Sequence, residues 1–371
     1  MSASPGPIAL YGATGFTGRL IAEELQLRGL ATVLAGRNHD KLTALAATLP
    51  NRPEIAAIEC EDAVGLRALF ADCSVVIGCA GPFGLYGGAV AAAAAAIGAH
   101  YLDTTGEQPF IRQVVEQVGP AATKNGVAAV SGMGFDYAPG DMLASLTAAD
   151  LGPLDSITLA YGVLDFDPSR GTMLSALEMM AGGDLEYRAG QLVAADPKVN
   201  RGSWDFPAPT GSQRMTRYPA GEQITVPLHI DTREVRTLLS ASATLPRQLA
   251  PLAPLLMAGA QGAMRTPLRR LATRFVERLP EGPSPNSRQA ARFVIECRAA
   301  ASNGQTRRGI LQGSDIYGTT ARLIGQAAAE MTTPQYAAIG GIAPAQAFAP
   351  AAFLDSLHES ISYRIDQASP R

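Results

Sequence analysis

The first pattern in the chain suited to chemistry is Gly12-Ala13-Thr14-Gly15-Phe16-Thr17-Gly18. It follows a short apolar run, Ile8-Ala9-Leu10-Tyr11, and precedes apolar residues at helical spacing, Leu20, Ile21 and Leu25. A strand, a glycine turn and a helix in that order make a phosphate cradle. Gly12 permits the tight turn, Gly15 leaves room for a pyrophosphate, and Gly18 lets the helix pack close to the strand. The first helical N–H groups then face the phosphates with the positive end of the helix dipole. The pattern predicts dinucleotide binding through Gly12, Thr14, Gly15, Phe16, Thr17 and Gly18.

A second strand is predicted at Thr32-Val33-Leu34-Ala35, with Gly36-Arg37-Asn38 after it. An NAD-specific site places a carboxylate there for the ribose 2′-hydroxyl. Arg37 instead offers a guanidinium that can pair with a 2′-phosphate and stack on adenine. Asn38 stands beside it, and Lys41 adds charge one helical turn later. NADP(H) is therefore expected over NAD(H). A third strand is predicted over Glu54 to Ile58, after which Asp62 could accept a hydrogen bond from the adenine amino group. The fourth, Ser74 to Ala80, is an apolar run of the kind a parallel strand buried on both faces requires. Ala80, Gly81 and Pro82 would end it beside the nicotinamide ribose and the diphosphate.

Hydride transfer to a polarised double bond leaves a site that must be protonated. Tyr86 follows the fourth strand in a glycine-flanked loop. Asp103 ends the next strand, His100 to Asp103, on the same edge. Asp136 and Tyr137 share a turn expected to face the nicotinamide. Tyr86, Asp103 and Tyr137 are the candidate catalytic residues, as proton donor or substrate anchor. The competing task for Asp103 is to cap backbone groups of Thr105 or Gly106. The G-x-x-G-x-x-G spacing is similar to that of short-chain reductases, but their Tyr-x-x-x-Lys pair is absent. Arg37, Pro120 and Ala194 stand four residues before the three lysines, Lys41, Lys124 and Lys198.

The elements that position these groups come from a chain of 371 residues, enough for two domains. With 47% hydrophobic and 17% charged residues, global disorder is excluded. A net charge of −3 gives no general field for nucleic acid. Cys60, Cys73, Cys79 and Cys297 form no C-x-x-C pair and have no zinc-ligand spacing with a histidine, so no metal is expected. The first residues carry no basic segment leading into an apolar one, and the longest apolar run, Ala89 to Ala99, is too short to span a bilayer. A cytoplasmic location is expected. His-Glu-x-x-His, Gly-x-Ser-x-Gly and a Walker loop are all missing, which removes hydrolase, protease and NTPase readings. An alanine-rich helix is predicted from Ala89, another over Phe110 to Val118, and a strand over Gly126 to Val130. From Ser156 onward, alternating strands at Ile157–Tyr161 and Ala291–Cys297 with helices between them give an α+β pattern.

Several segments together resemble one family. They are the glycine turn, Ala35-Gly36-Arg37-Asn38, Gly81-Pro82-Phe83-Gly84-Leu85-Tyr86-Gly87, Tyr101-Leu102-Asp103-Thr104-Thr105-Gly106-Glu107 and Gly134-Phe135-Asp136-Tyr137-Ala138-Pro139-Gly140-Asp141. The chain resembles the saccharopine dehydrogenase-like NAD(P)-binding oxidoreductases, nearest to their trans-acting enoyl reductase branch. That branch usually has serine where Tyr137 stands. The resemblance is strong over residues 8–145 and weaker beyond. It implies an α/β fold: a Rossmann domain over 1–135, an inserted α+β mixed-sheet domain over 136–313 for substrate and dimerisation, and C-terminal helices over 314–371 that return to the Rossmann domain. It also implies a tyrosine and an aspartate near the substrate at Tyr86 and Asp103.

The leading reading is an NADPH-dependent reductase of an activated C=C bond in an enoyl-type lipidic or polyketide intermediate. An imine reductase of saccharopine type is the alternative within the fold, but Met173, Leu174, Met179, Met180 and the Leu252–Met257 stretch suit an apolar substrate better than a dicarboxylate. A non-catalytic NADP(H)-sensing regulator is the alternative of another class. Met264, Leu268, Leu271, Phe275 and Leu279 fall at helical spacing among Arg265, Arg269, Arg270, Arg274 and Arg278. Such a helix can be an ordinary surface helix, or can dock on an acyl-carrier domain or a membrane surface. The prevalence of two-fold symmetry predicts a homodimer.

Overall fold

A computed structural model describes residues 6–181, 183–195, 202–243 and 268–370. Lys198, Met264, Arg265 and the Leu252–Met257 stretch lie outside them. The chain divides into two compact units, Met1–Ala138 with Tyr317–Ala349, and Pro139–Ile316 with Pro350–Arg371.

In the first unit, strands and helices alternate: β1 (Ile8–Tyr11), α1 (Phe16–Leu27), β2 (Thr32–Gly36), α2 (His39–Thr48), β3 (Glu54–Ala57), α3 (Ala63–Phe70), β4 (Val75–Gly78), α4 (Phe83–Ile97), β5 (His100–Asp103), and then β6 (Ala128–Val130). The sheet order is Gly340–Gly341, β6, β5, β4, β1, β2, β3, with every pair parallel. This is a Rossmann-type sheet. Because β1 pairs with both β2 and β4, the winding reverses there and opens a crevice at the carboxyl ends of those strands. Tyr11 is in register with Ala35 and Gly78, and Gly78 with Asp103. Gly12, Arg37, Cys79 and Thr104 therefore leave the sheet along one edge. β1 and β4 are buried throughout, as strands covered on both faces must be. Leu66, Phe70, Val90, Tyr101 and Phe110 pack into one core cluster.

The helix expected over Phe110 to Val118 is longer and interrupted. It runs as α5 (Gln108–Gln113), a π turn (Val114–Val118) and α6 (Gly119–Lys124). Pro120 has no N–H for the carbonyl four residues back, and the wider turn precedes it. From Tyr317 on, the helix Ile316–Met331 packs against α1. Tyr317 meets the Phe16 ring edge-on at 5.1 Å, and the Arg28 guanidinium bridges Glu24 and Gln326 at 2.7 Å each.

The second unit is built on a mixed sheet, with α7 (Ala138–Ala148) leading into it. Its strands are β7 (Leu154–Leu164), β8 (Leu185–Arg188), β9 (Gln191–Ala194), β10 (Ser203–Asp205), β11 (Ser212–Arg217), β12 (Glu234–Ser240), β13 (Arg292–Ala301), β14 (Gln305–Ser314) and a C-terminal strand, Ile361–Ile365. β7 and β12 pair parallel, whereas β13 pairs antiparallel with both β7 and β14. The expected C-terminal block 314–371 is split. The helix after Asp315 belongs to the first unit, whereas Ile361–Ile365 pairs antiparallel with β14 in the second. Alternating Ile361, Tyr363 and Ile365 suit a strand at a sheet edge better than a helix. Within this unit His229 Nε2 lies 3.0 Å from the fully buried Asp141 carboxylate.

Candidate active site

The glycine turn follows β1 directly. Gly12 has a φ of +86°, and a Cβ there would stand 2.7 Å from the Ala80 nitrogen. At Gly18 a Cβ would stand 2.3 Å from the Gly12 carbonyl oxygen. These two glycines are required by the fold itself. Gly15 differs. Its φ is −70°, and a Cβ would meet nothing closer than the Gly12 oxygen at 3.4 Å. The space before Gly15 is open, as a pyrophosphate cradle requires. Arg19 Nη1 donates to the Thr14 carbonyl at 2.8 Å and holds the turn in shape.

The helix ends that follow the first four strands are treated differently. Asn38 caps α2 by accepting from Lys41 N at 2.9 Å, and Asp62 caps α3 by accepting from Gly65 N at 2.9 Å. Glu107 closes α4 from outside the helix: its Oε1 accepts from Phe83 N and its Oε2 from Gly84 N, each at 2.8 Å. α1, whose N-cap is Gly15, has no side-chain cap. Its first amides, at Phe16, Thr17 and Gly18, receive no side-chain cap, and the glycine turn opens on them. The carboxamide of Asn38 and the carboxylate of Asp62 thus have structural tasks that the residue types alone did not reveal.

Arg37 stands one residue beyond β2, exposed, and among the described residues no ion pair holds it. Lys41 lies exposed in the first turn of α2. Both cationic residues stand at the carboxyl end of the same strand. Ala80 is half-buried, Gly81 exposed and Pro82 buried at the far side of the crevice. The Cys79 thiol sits 3.6 Å from Thr104 Oγ1, and desolvation pushes it up to about 11, so it is protonated at neutral pH.

The three candidate catalytic residues meet different fates. Asp103 is fully buried. Its Oδ1 accepts from Thr105 N at 3.0 Å and Gly132 N at 2.9 Å, and its Oδ2 accepts from Ser131 Oγ at 2.7 Å. Burial pushes this carboxyl up to about 6, against the pull of those hydrogen bonds. Asp103 therefore ties the end of β5 to the loop after β6, which is the capping task. Tyr137 is 1% exposed and its hydroxyl donates to the Gly106 carbonyl at 2.8 Å. It fastens the 132–137 turn to the loop after β5, a positioning role. That turn is also held by Phe135 N donating to Thr320 Oγ1 at 3.0 Å. Tyr86 is half-buried against the core cluster. It lies in the first turn of α4 rather than in a loop, because the Glu107 cap lets the helix begin at Phe83. Among the described residues its hydroxyl has no hydrogen-bond partner. The residue types and spacing do not reveal the tasks of Glu107, Arg19, Ser131 and Thr320. Only the pattern Thr105-Gly106-Glu107 hinted at Glu107, and its target lies 24 residues upstream.

Among the described residues no group of three or more His, Cys, Asp or Glu side chains could hold a metal ion, and no helix is long and apolar enough to cross a membrane.

Residues 8–130 match the family model of the saccharopine dehydrogenase NADP binding domain. This match makes NADP(H) the dinucleotide of the first unit. The chain is 36% identical over 140 residues to a trans-acting enoyl reductase of Mycobacterium tuberculosis, covering 36% of this chain and 34% of that one. It is 32% identical over 146 residues to a lipid droplet localized protein of Caenorhabditis elegans, again over 36% of this chain and 34% of that one. The matched stretch spans about a third of the length of these relatives. Among solved structures, saccharopine dehydrogenase (L-Glu forming) from Saccharomyces cerevisiae is similar with a TM-score of 0.61 at 14% identity, covering 98% of this chain and 100% of that one. At that identity the likeness is one of fold.

Proposed function

We propose that the protein is an NADPH-dependent oxidoreductase that reduces an activated carbon–carbon double bond of the enoyl thioester type. The observation that carries the reading is the contrast among helix ends. α2, α3 and α4 are closed by side chains, and α1 alone of these four is left to an anion beside an open glycine cradle. Phe16, Thr17 and Gly18 amides would hold the pyrophosphate, and Arg37 with Lys41 the 2′-phosphate. The bound cofactor supplies a hydride.

Adding a hydride to the β-carbon of an enoyl thioester moves the π electrons onto the thioester oxygen, and a proton must then reach the α-carbon. Stabilising the oxygen anion calls for a hydrogen-bond donor at the crevice edge. The Tyr86 hydroxyl is the candidate donor, because the other two candidates are committed within the fold. Asp103, Tyr137 and Glu107 act as positioning residues that fix the loops on either side of it. The names of the mycobacterial relatives support C=C over C=N, and the name of the nematode relative is in keeping with a lipidic substrate.

The test is reduction of a crotonyl thioester followed by loss of reduced-nicotinamide absorbance, with a cyclic imine as the competing substrate. Oxidation of NADPH by the thioester and not by the imine supports the reading. The reverse assigns the protein to imine chemistry.

A further inference from the structure

We propose that the outward face of the Leu268–Val276 helix docks the protein on an anionic phospholipid surface. The helix is held to the second unit by one side. Arg269 pairs with Glu178 of α8 (Arg170–Ala181), and Val276 is buried. Arg170 Nη1 fixes the turn that follows, donating to the Glu277 carbonyl at 3.1 Å and the Leu279 carbonyl at 3.4 Å.

The opposite side carries Leu271 at 61% exposure and Phe275 at 65%, one helical turn apart. Few other large apolar side chains of the described residues are so exposed, and these two are neighbours. Arg274 and Arg278 share that face and Arg270 flanks it, all exposed. Among the described residues no ion pair holds any of the three. Glu277 is the single carboxylate of the helix and its following turn, and at 100° per residue it lies on the flank, away from Leu271 and Phe275. The charge asymmetry extends along the sequence: between Glu234 and Glu277 there are six arginines and no acidic residue, in a chain of net charge −3.

A wholly polar acidic surface would pair the arginines but would give Leu271 and Phe275 no apolar environment of their own. A phospholipid surface satisfies both at once. Headgroup phosphates accept from the guanidinium forks, and the leucine and phenylalanine enter the boundary between headgroups and acyl chains. The inference is independent of which bond the enzyme reduces.

The test is co-sedimentation of the full chain with vesicles of phosphatidylcholine alone or mixed with phosphatidylglycerol. The unmutated chain should sediment with the anionic vesicles, release at high salt and stay in solution with the neutral ones. The triple substitution Arg270→Gln, Arg274→Gln, Arg278→Gln should weaken binding at least about tenfold, and Leu271→Ser with Phe275→Ser should weaken it as well. Both variants should keep the circular dichroism spectrum and the NADPH affinity of the parent. The proposal is overturned if the unmutated chain ignores anionic vesicles, if either variant binds like the parent, or if the chain binds an immobilised acidic acyl-carrier protein but no vesicle.

Discussion

The carboxylate of Glu107 lies across the first turn of α4, its Oε1 2.8 Å from the backbone nitrogen of Phe83. One acidic residue after β5 thereby caps the start of the helix that carries Tyr86 and takes up the positive pole that an anion would otherwise seek. Both bonds are to a charged acceptor and Glu107 is 4% exposed, so their loss is expensive. Glu107→Gln keeps the shape but turns one acceptor into a donor aimed at an N–H. A loss of about 1–3 kcal/mol in urea denaturation is expected, together with reduced turnover. Unchanged stability would mean that the cap contributes nothing.

Gly15 and Gly18 separate binding from folding. Gly15→Val adds a side chain where the protein leaves open space, so the variant should fold normally and lose NADPH binding. Gly18→Ala places a Cβ 2.3 Å from the Gly12 oxygen and should lower the denaturation midpoint even without cofactor. Isothermal titration beside thermal melts reads both. Retained NADPH affinity in Gly15→Val would contradict the placement of the pyrophosphate.

In the proposed function Arg37 sets the choice between cofactors. NADPH should bind at least about tenfold tighter than NADH, about 1.4 kcal/mol, and Arg37→Ala should erase most of that preference. Fluorescence titration of both cofactors measures it. Equal affinities in the unmutated chain would assign Arg37 to solvent.

Asp103 gives a pH signature. Its carboxyl, ordinarily near 3.8, is pushed by burial up to about 6 in the folded protein. Between those values the folded chain holds a proton that the unfolded chain has released. This contribution is fully present below about pH 4 and is lost as the pH rises through about 6, amounting to about 3 kcal/mol. Asp103→Asn should be less stable than the parent, because its amide –NH2 puts a donor where the carboxyl oxygen faces the Ser131 hydroxyl. The gap should narrow as the pH rises across that window. A gap independent of pH would contradict the burial argument.

Much of the first unit could be read from residue order. Apolar runs ending in glycine mark β1, β2 and β4, and the 12–18 turn follows from local spacing alone, because strand, glycines and helix are contiguous in the chain. The tasks of Glu107, Asp103 and Tyr137 were not readable, since each depends on a partner about 24 to 31 residues away that only tertiary folding brings near. Gly84, Gly87 and Gly88 around Tyr86 predict a loop. The cap from Glu107 outweighs their poor helix propensity. The alternation of Ile361, Tyr363 and Ile365 is the pattern of a strand, but five residues beside helical segments are too few to stand out as one.

The most direct measurement is single-turnover oxidation of NADPH deuterated at the nicotinamide, mixed with the chain and an enoyl thioester, with the product examined by mass spectrometry. Deuterium should appear on the β-carbon of the saturated thioester. Tyr86→Phe should slow the transfer by about 10²–10⁴-fold while leaving NADPH affinity intact. Tight NADPH binding with no transfer to any enoyl thioester or imine would contradict the enzyme reading and leave a protein that senses the cofactor without reacting it.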